Sequence, residues 1–303
     1  MKKNLAFVLS AGGARGALQA GALRALLESG IRPDLLVGTS IGAINATALA
    51  IHGVNLAGVE ALVADWRDAA GADLLPSNAV RLMMSTLFNR GRGPSAQRMR
   101  EFLIAHGLLP TLRFGDIQGV RLILIAADLN TGCLVLYGTD PRQSVLEGVL
   151  ASAALPPWVQ PLEKDGQLLI DGGVISILPI EPAVAQGAKE IIALDLSDPR
   201  GMLADSRGLG PFVGKVLVAV TQREIQLELE SAAARHVRVR RIGLYGDLPV
   251  AVWDFGHTDE LIARGYEVAR RRIAEWQPEH EVWWRKWSSL PGSRGFLQQR
   301  TTL

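Results

Sequence analysis

The strongest constraint on this chain's fold is a repeated switch from short, continuously apolar runs to helical periodicity. Leu5 to Leu9 and Leu35 to Gly38 are apolar runs of strand length, and each leads into a helical pattern, Ala17 to Ser29 closed by Gly30 and Ile41 to His52 closed by Gly53. Further strands are predicted at Arg121 to Ala127, Cys133 to Tyr137, Leu168 to Ile170, Glu190 to Leu196 and His236 to Ile242. Leu122-Ile123-Leu124-Ile125 and Ile191-Ile192-Ala193-Leu194 lack polar alternation, so these strands should be covered on both faces. Ile41 to His52 is apolar nearly all round and should be central, whereas Asp259 to Glu275 is amphipathic, with Ile262, Tyr266, Ala269 and Ile273 on one stripe. This alternation predicts an α/β fold with a mainly parallel sheet; 303 residues, 48% of them hydrophobic, suffice for one large core or two small ones.

Charge and cysteine content narrow the function classes. Lys plus Arg number 32 against 30 Asp plus Glu, so the formal charge of +2 gives no reason to expect a nucleic-acid partner. Val237-Arg238-Val239-Arg240 alternates like a half-exposed strand, and Glu267 can pair with Arg271 on a helix. The single cysteine, Cys133, cannot form an internal disulfide and is expected as a small core residue. Met1-Lys2-Lys3 imitates a secretory start, but the following apolar run is only five residues, and no run of about 18 uncharged apolar residues appears. The expectation is a soluble, cytoplasmic chain. No metal or other cofactor is expected: His280-Glu281-Val282-Trp283-Trp284 lacks the second histidine of a zincin helix.

Three motifs carry chemistry. Gly38-Thr39-Ser40-Ile41-Gly42 lies where the second strand meets the second helix; a serine between glycines there is a nucleophile elbow, with its hydroxyl held clear of the backbone at a helix N-terminus. Ser10-Ala11-Gly12-Gly13-Ala14-Arg15-Gly16 lies between the first strand and helix, where converging backbone N–H groups suit either a phosphate or the oxyanion of a tetrahedral intermediate. The second strand ends in the serine elbow rather than in the acid of a dinucleotide site, which favours the oxyanion. Leu168-Leu169-Ile170-Asp171-Gly172-Gly173 delivers a carboxylate to a strand end; desolvation beside Leu169 and Ile170 would raise its pKa and let it act as a base.

In this order, Gly12-Gly13-Ala14-Arg15-Gly16, Gly38-Thr39-Ser40-Ile41-Gly42 and Asp171-Gly172-Gly173 resemble the patatin-like phospholipases, serine acyl hydrolases with a Ser-Asp dyad. Ala151-Ser152-Ala153-Ala154-Leu155-Pro156 with Pro161 resembles that family's Ala-Ser-x-Ala-x-Pro block, and Glu260 to Arg270 is similar to its closing helix in bacterial members. The resemblance implies a three-layer α/β/α sandwich over 4–275, with a motif-bearing core over 5–195 and a helical insertion over about 54–118. It implies Ser40 as nucleophile and Asp171 as base. The N–H groups of Gly12, Gly13 and Ala14 would form the oxyanion hole, with Arg15 stiffening the loop or adding positive potential; Gly16, Gly38, Gly42, Gly172 and Gly173 would be motif glycines. The substrate would be a lipid or other acyl ester, opened through an acyl-enzyme. Two departures stand out: Ala11 begins the loop where many members have glycine, and Val174-Ile175-Ser176-Ile177-Leu178-Pro179 lacks the Asn often found before that proline.

Other readings stay open. The glycine-rich loop could instead serve a noncatalytic phosphate- or nucleotide-binding α/β protein. Only His257 follows both Ser40 and Asp171 near a loop, as an α/β-hydrolase triad would require, though a residue flanking the last helix is the plainer expectation. Asp198 to Pro211 reads as a loop rich in Gly, Pro and Asp. In the tail, 276–303, Trp276, Trp283, Trp284 and Trp287 beside Arg285 and Lys286 suit either peripheral membrane contact or packing. Oligomeric state is not legible.

Overall fold

In the computed structural model, β1 (Leu5–Leu9), β2 (Leu35–Thr39), β3 (Arg121–Asp128), β7 (Glu190–Asp195) and β8 (Arg238–Gly243) run parallel, and β4 (Cys133–Tyr137), β5 (Leu162–Lys164) and β6 (Gln167–Asp171) complete the sheet through antiparallel pairs. Hydrogen bonds link the strands along the path β5-β6-β3-β2-β1-β7-β8, with β2 and β6 on one edge of β3 and β4 on its other edge. The structure describes residues 4–72, 94–156, 158–200, 207–247 and 250–276. The helices are α1 (Ala17–Glu28), α2 (Ile41–His52), α3 (Leu56–Gly71), α4 (Pro94–Ala105), α5 (Val145–Ser152), α6 (Ile180–Ala185), α7 (Leu209–Ala234) and α8 (Thr258–Trp276).

Strand alternation sends side chains into two cores, as a sheet covered on both faces requires. Phe7, Leu9, Leu36, Leu124 and Leu194 pack with α1, α2, α3 and α8; Ala6, Val8, Val37, Ile123 and Ala193 pack with Ile180 and Ala183 of α6 and Ile225 and Ala232 of α7. The result is the three-layer α/β/α sandwich that the resemblance implies. α2 is buried along most of its length, as its all-round apolar character predicts.

Three features differ from the sequence reading. Cys133 is exposed rather than in the core, because β4 pairs only with β3 and its Leu134-Val135-Leu136 run is half-buried at the sheet margin. β5 carries too short and polar a sequence, Leu162-Glu163-Lys164, to announce a strand. α7 begins inside the stretch read as a loop; Pro211 sits in its first turn, where the missing N–H has no intrahelical partner to lose. Trp283, Trp284 and Trp287 lie outside the described residues. Among the described residues no helix is long and apolar enough to cross a membrane.

Candidate active site

Two strands meet end to end on one edge of β3. Leu124 and Ile125 pair with Gly38 and Thr39 of β2 on one side and with Tyr137 and Leu136 of β4 on the other. Ala126 and Ala127 keep β4 on that second side and pair with Asp171 and Ile170 of antiparallel β6, so β6 continues the edge where β2 stops. The final residue of β6 is Asp171, and the residue after β2 is Ser40. Opposed strand directions thus bring together two residues far apart in the chain.

Ser40 has φ 56° and ψ −122°, a conformation that costs a non-glycine residue about 1–3 kcal/mol. The surroundings hold it there. Its N–H donates to Ser152 Oγ at 2.9 Å, and Thr39 Oγ1 donates to the Ser176 carbonyl at 2.8 Å. A Cβ on Gly38 would lie 2.4 Å from the Gly42 carbonyl oxygen, and one on Gly42 would lie 2.2 Å from that of Leu9, so the elbow closes only with glycine at both positions.

Asp171 is buried. Oδ1 accepts from the Gly173 N–H at 2.8 Å, and its own N–H donates to the Ala154 carbonyl at 2.9 Å. Oδ2 is buried and makes no hydrogen bond of standard geometry. Burial pushes the carboxyl up to about 6; the nearby Ser40 hydroxyl and the Gly173 N–H pull the other way. The Ser40 hydroxyl lies near enough to hold the carboxyl's pKa down, but no hydrogen bond of standard geometry joins the two. The Ala151 to Pro156 block has a mechanical role, since Ser152 holds Ser40 and Ala154 holds Asp171.

The glycine-rich loop approaches from the third side. A Cβ on Gly16 would lie 2.4 Å from Ile41 Cγ1, and one on Gly173 would lie 3.1 Å from Ala11 Cβ, so loop, elbow and Asp-Gly-Gly turn are in mutual contact. The Ala14 N–H differs from the expectation: it donates to the Val252 carbonyl at 2.8 Å and is not free for a ligand. The N–H groups of Gly12 and Gly13 have no hydrogen-bond partner among the described residues. Arg15 Nε donates to the Gly12 carbonyl at 3.1 Å, which stiffens the loop; burial lowers the Arg15 pKa, and the nearby carboxylates of Asp198 and Asp195 act in the opposite direction.

His257 stays apart from this cluster. It is exposed, with Nδ1 3.2 Å from Glu260 and Nε2 3.7 Å from Asp254, flanking α8. His52 and His106 face Asp65 and Asp68 on α3. No grouping of three His, Cys, Asp or Glu side chains suited to a metal ion occurs among the described residues.

Two supporting networks escaped the sequence reading. Asn45 Nδ2 donates to the Gly16 carbonyl and to Gln19 Oε1, Gln19 Nε2 donates to the Ser10 carbonyl, and Trp66 Nε1 donates to Asn45 Oδ1, all buried. On the opposite face, Glu224 Oε1 accepts from the Ile177 N–H at 2.6 Å and Glu228 Oε1 from Ser176 Oγ at 2.6 Å. The Ile177 carbonyl in turn accepts from the Ala11 N–H at 2.9 Å. These two glutamates therefore brace the segment after Asp171, where the family's Asn is missing. An apolar cavity of about 60 Å³, lined by Ile41, Ile44, Ala48, Leu62, Trp66 and Phe102 among others, begins beside the residue after Ser40.

A strained serine at a strand-to-helix turn in a mainly parallel sheet, with a glycine-rich loop against it, defines an α/β fold built around a tight serine elbow between β2 and α2. The family model described as patatin-like phospholipase matches residues 7–184, and the chain belongs to that family. It is 30% identical over 208 residues to an uncharacterised NTE family protein of Mycobacterium tuberculosis, covering 69% of this chain and 32% of that protein. Similarity to patatin-like phospholipase domain-containing protein 7 of Mus musculus is 31% over 295 residues, covering 90% of this chain and 21% of the relative. The chain thus spans about a fifth to a third of these relatives' length. The solved structure of human GIVD cytosolic phospholipase A2 with methyl gamma-linolenyl fluorophosphonate shares the fold at TM-score 0.50 and 11% identity, covering 92% of this chain and 58% of that one.

Proposed function

We propose that this chain is a serine acyl hydrolase of lipid or phospholipid carboxylic esters, with Ser40 as nucleophile and Asp171 as its base. The observation that carries the reading is the meeting of β2 and β6, which sets the strained Ser40 beside a buried carboxyl with an unpartnered oxygen. Asp171 Oδ2 takes the Ser40 proton as Oγ attacks the ester carbonyl carbon. Negative charge developing on the carbonyl oxygen meets the N–H groups of Gly12 and Gly13. Collapse expels the alcohol, which recovers the proton from Asp171; water, activated by the same carboxylate, then releases the carboxylic acid. A carboxyl raised to about 6 is ionised at neutral pH yet basic enough for this task.

The cavity beside Ile41 is walled largely by aliphatic and aromatic side chains, the chemistry an acyl chain would meet, and at about 60 Å³ it would have to widen to admit one. A phosphate-binding role for the glycine-rich loop is disfavoured by the buried carboxyl of Asp171, whose Asp-Gly-Gly turn lies against Ala11 of the loop. The test is hydrolysis of p-nitrophenyl esters of increasing chain length and of phospholipid vesicles by wild type and Ser40→Ala. Turnover by wild type alone supports the reading. Equal turnover by both proteins, or none by either, removes it; acyl transfer to an alcohol acceptor would show as ester product in the same assay.

A further inference from the structure

The apolar cavity beside Ile41 has two unlike ends. At one of them Ile41 and Trp66 touch the glycine-rich loop: a Cβ on Gly16 would lie 2.4 Å from Ile41 Cγ1 and 2.8 Å from Trp66 Cζ2. From there the cavity follows α2, whose Ile41, Ile44, Ala48 and Ile51 recur at helical spacing and line it from one face.

At the other end the lining turns polar. Asp65 and His106 are the ionisable groups among the residues that line the cavity. Asp65 faces His52, the last residue of α2, at 3.4 Å, and His106 faces Asp68 at 3.2 Å while stacking on Phe102 with ring centroids 4.0 Å apart. Gly107 closes the same corner, since a Cβ there would lie 3.5 Å from His52 Cε1 and 3.9 Å from Ile51 Cδ1. The polar end is therefore the end remote from Ser40.

The distance between the ends sets a length. From Ile41 to Ile51 the cavity runs about 15 Å along α2, at about 1.5 Å per residue. A hydrocarbon chain with bonds of about 1.52 Å and angles near 111° advances about 1.25 Å per carbon, so about 12 carbons cover that span. A longer chain would push methylenes among two histidine–carboxylate pairs, stripping water from them and offering no hydrogen bond in return. The widening that any such chain requires can fall to Met99 on the α4 wall, the lining side chain with the most rotamer freedom.

We propose that this cavity measures the acyl chain of the substrate: esters of about 8–12 carbons fill it, and the His52–Asp65 and His106–Asp68 pairs at its far end reject longer ones. The inference rests on the reading of the site as a lipid acyl hydrolase.

The test has a turnover arm and a binding arm. For p-nitrophenyl esters from butyrate to palmitate, wild-type kcat/KM should rise about two- to fourfold per added methylene, peak near decanoate or laurate, and fall at least about tenfold by palmitate. In Ser40→Ala, neutral methyl ketones from butyl to tetradecyl chain length should raise the melting temperature with the same maximum, whether or not any ester is turned over. Ala48→Leu fills the cavity about 10 Å from Ile41 and should move both maxima to about eight carbons or fewer. His106→Ala opens the far end and should raise the palmitate-to-decanoate ratio at least about fivefold; this half-buried ring carries the comparison should Ala48→Leu lower the melting temperature of the free protein. Maxima that neither variant moves, or a preference that climbs without a break to the longest chains, overturn the proposal. Ketone binding with the expected profile and no ester turnover refutes the hydrolase reading alone. Turnover indifferent to chain length and to both variants refutes the cavity assignment alone, and neither binding nor turnover refutes both.

Discussion

Asp171→Asn should stabilise the protein while disabling it. The carboxyl is raised from 3.8 to about 6 chiefly by burial, so the folded state holds its proton more tightly than the unfolded chain does. Stability is then full below the unfolded pKa and is lost as pH rises from about 4 to about 6. The gap of about two pH units, at 1.36 kcal/mol each, amounts to about 3 kcal/mol by pH 7. An asparagine carries no charge to desolvate and keeps an acceptor for the Gly173 N–H, although its new amide N–H lacks a partner beside the unpaired oxygen position. Less about 1–2 kcal/mol for that unpaired donor, the expected net gain is about 1–2 kcal/mol at pH 7.5, and the difference falls by about 3 kcal/mol toward pH 4, where the variant becomes the less stable of the two. Urea unfolding of both proteins across that range checks it; taking the difference removes the similar slope from Glu224, which burial raises to about 7. A variant no more stable than wild type at pH 7.5, or a difference that ignores pH, would refute the argument from burial.

Other consequences follow from the supporting networks. Asn45→Leu leaves the Trp66 N–H and the Gln19 amide oxygen unpaired and removes one donor from the Gly16 carbonyl, and should cost about 2–5 kcal/mol in denaturant unfolding. Glu228→Ala should lower kcat about tenfold with little change in KM, because it frees the loop that orients Thr39 and Ala11, and Glu228→Gln should restore most of the loss; equal damage by both would remove the positioning role. His257→Ala should keep most ester hydrolysis, and activity at or below a hundredth of wild type would revive a triad.

Much of the scaffold was legible because its signals are local. Continuous apolar runs announced β1, β2, β3 and β7, and glycines closed α1 and α2 where expected. The candidate site was legible only as three separate motifs. Their union depends on β6 running antiparallel along the edge vacated by β2, a pairing that no local periodicity encodes. The commitment of the Ala14 N–H to Val252, and the braces from Glu224 and Glu228, are long-range contacts of the same kind. Cys133 misled for a simpler reason: an apolar run looks alike at a sheet margin and in its centre.

The central claim is that Ser40 is activated by Asp171, and covalent labelling tests it most directly. Wild type, Ser40→Ala and Asp171→Asn are treated with a fluorophosphonate, and the adduct is located by peptide mass spectrometry over pH 4.5–8. One adduct per chain is expected, on Ser40, forming at a rate that rises with pH through about 6 as Asp171 ionises. Labelling should be absent from Ser40→Ala and slowed by orders of magnitude in Asp171→Asn. An adduct on another serine, or labelling of Asp171→Asn at the wild-type rate, would contradict it.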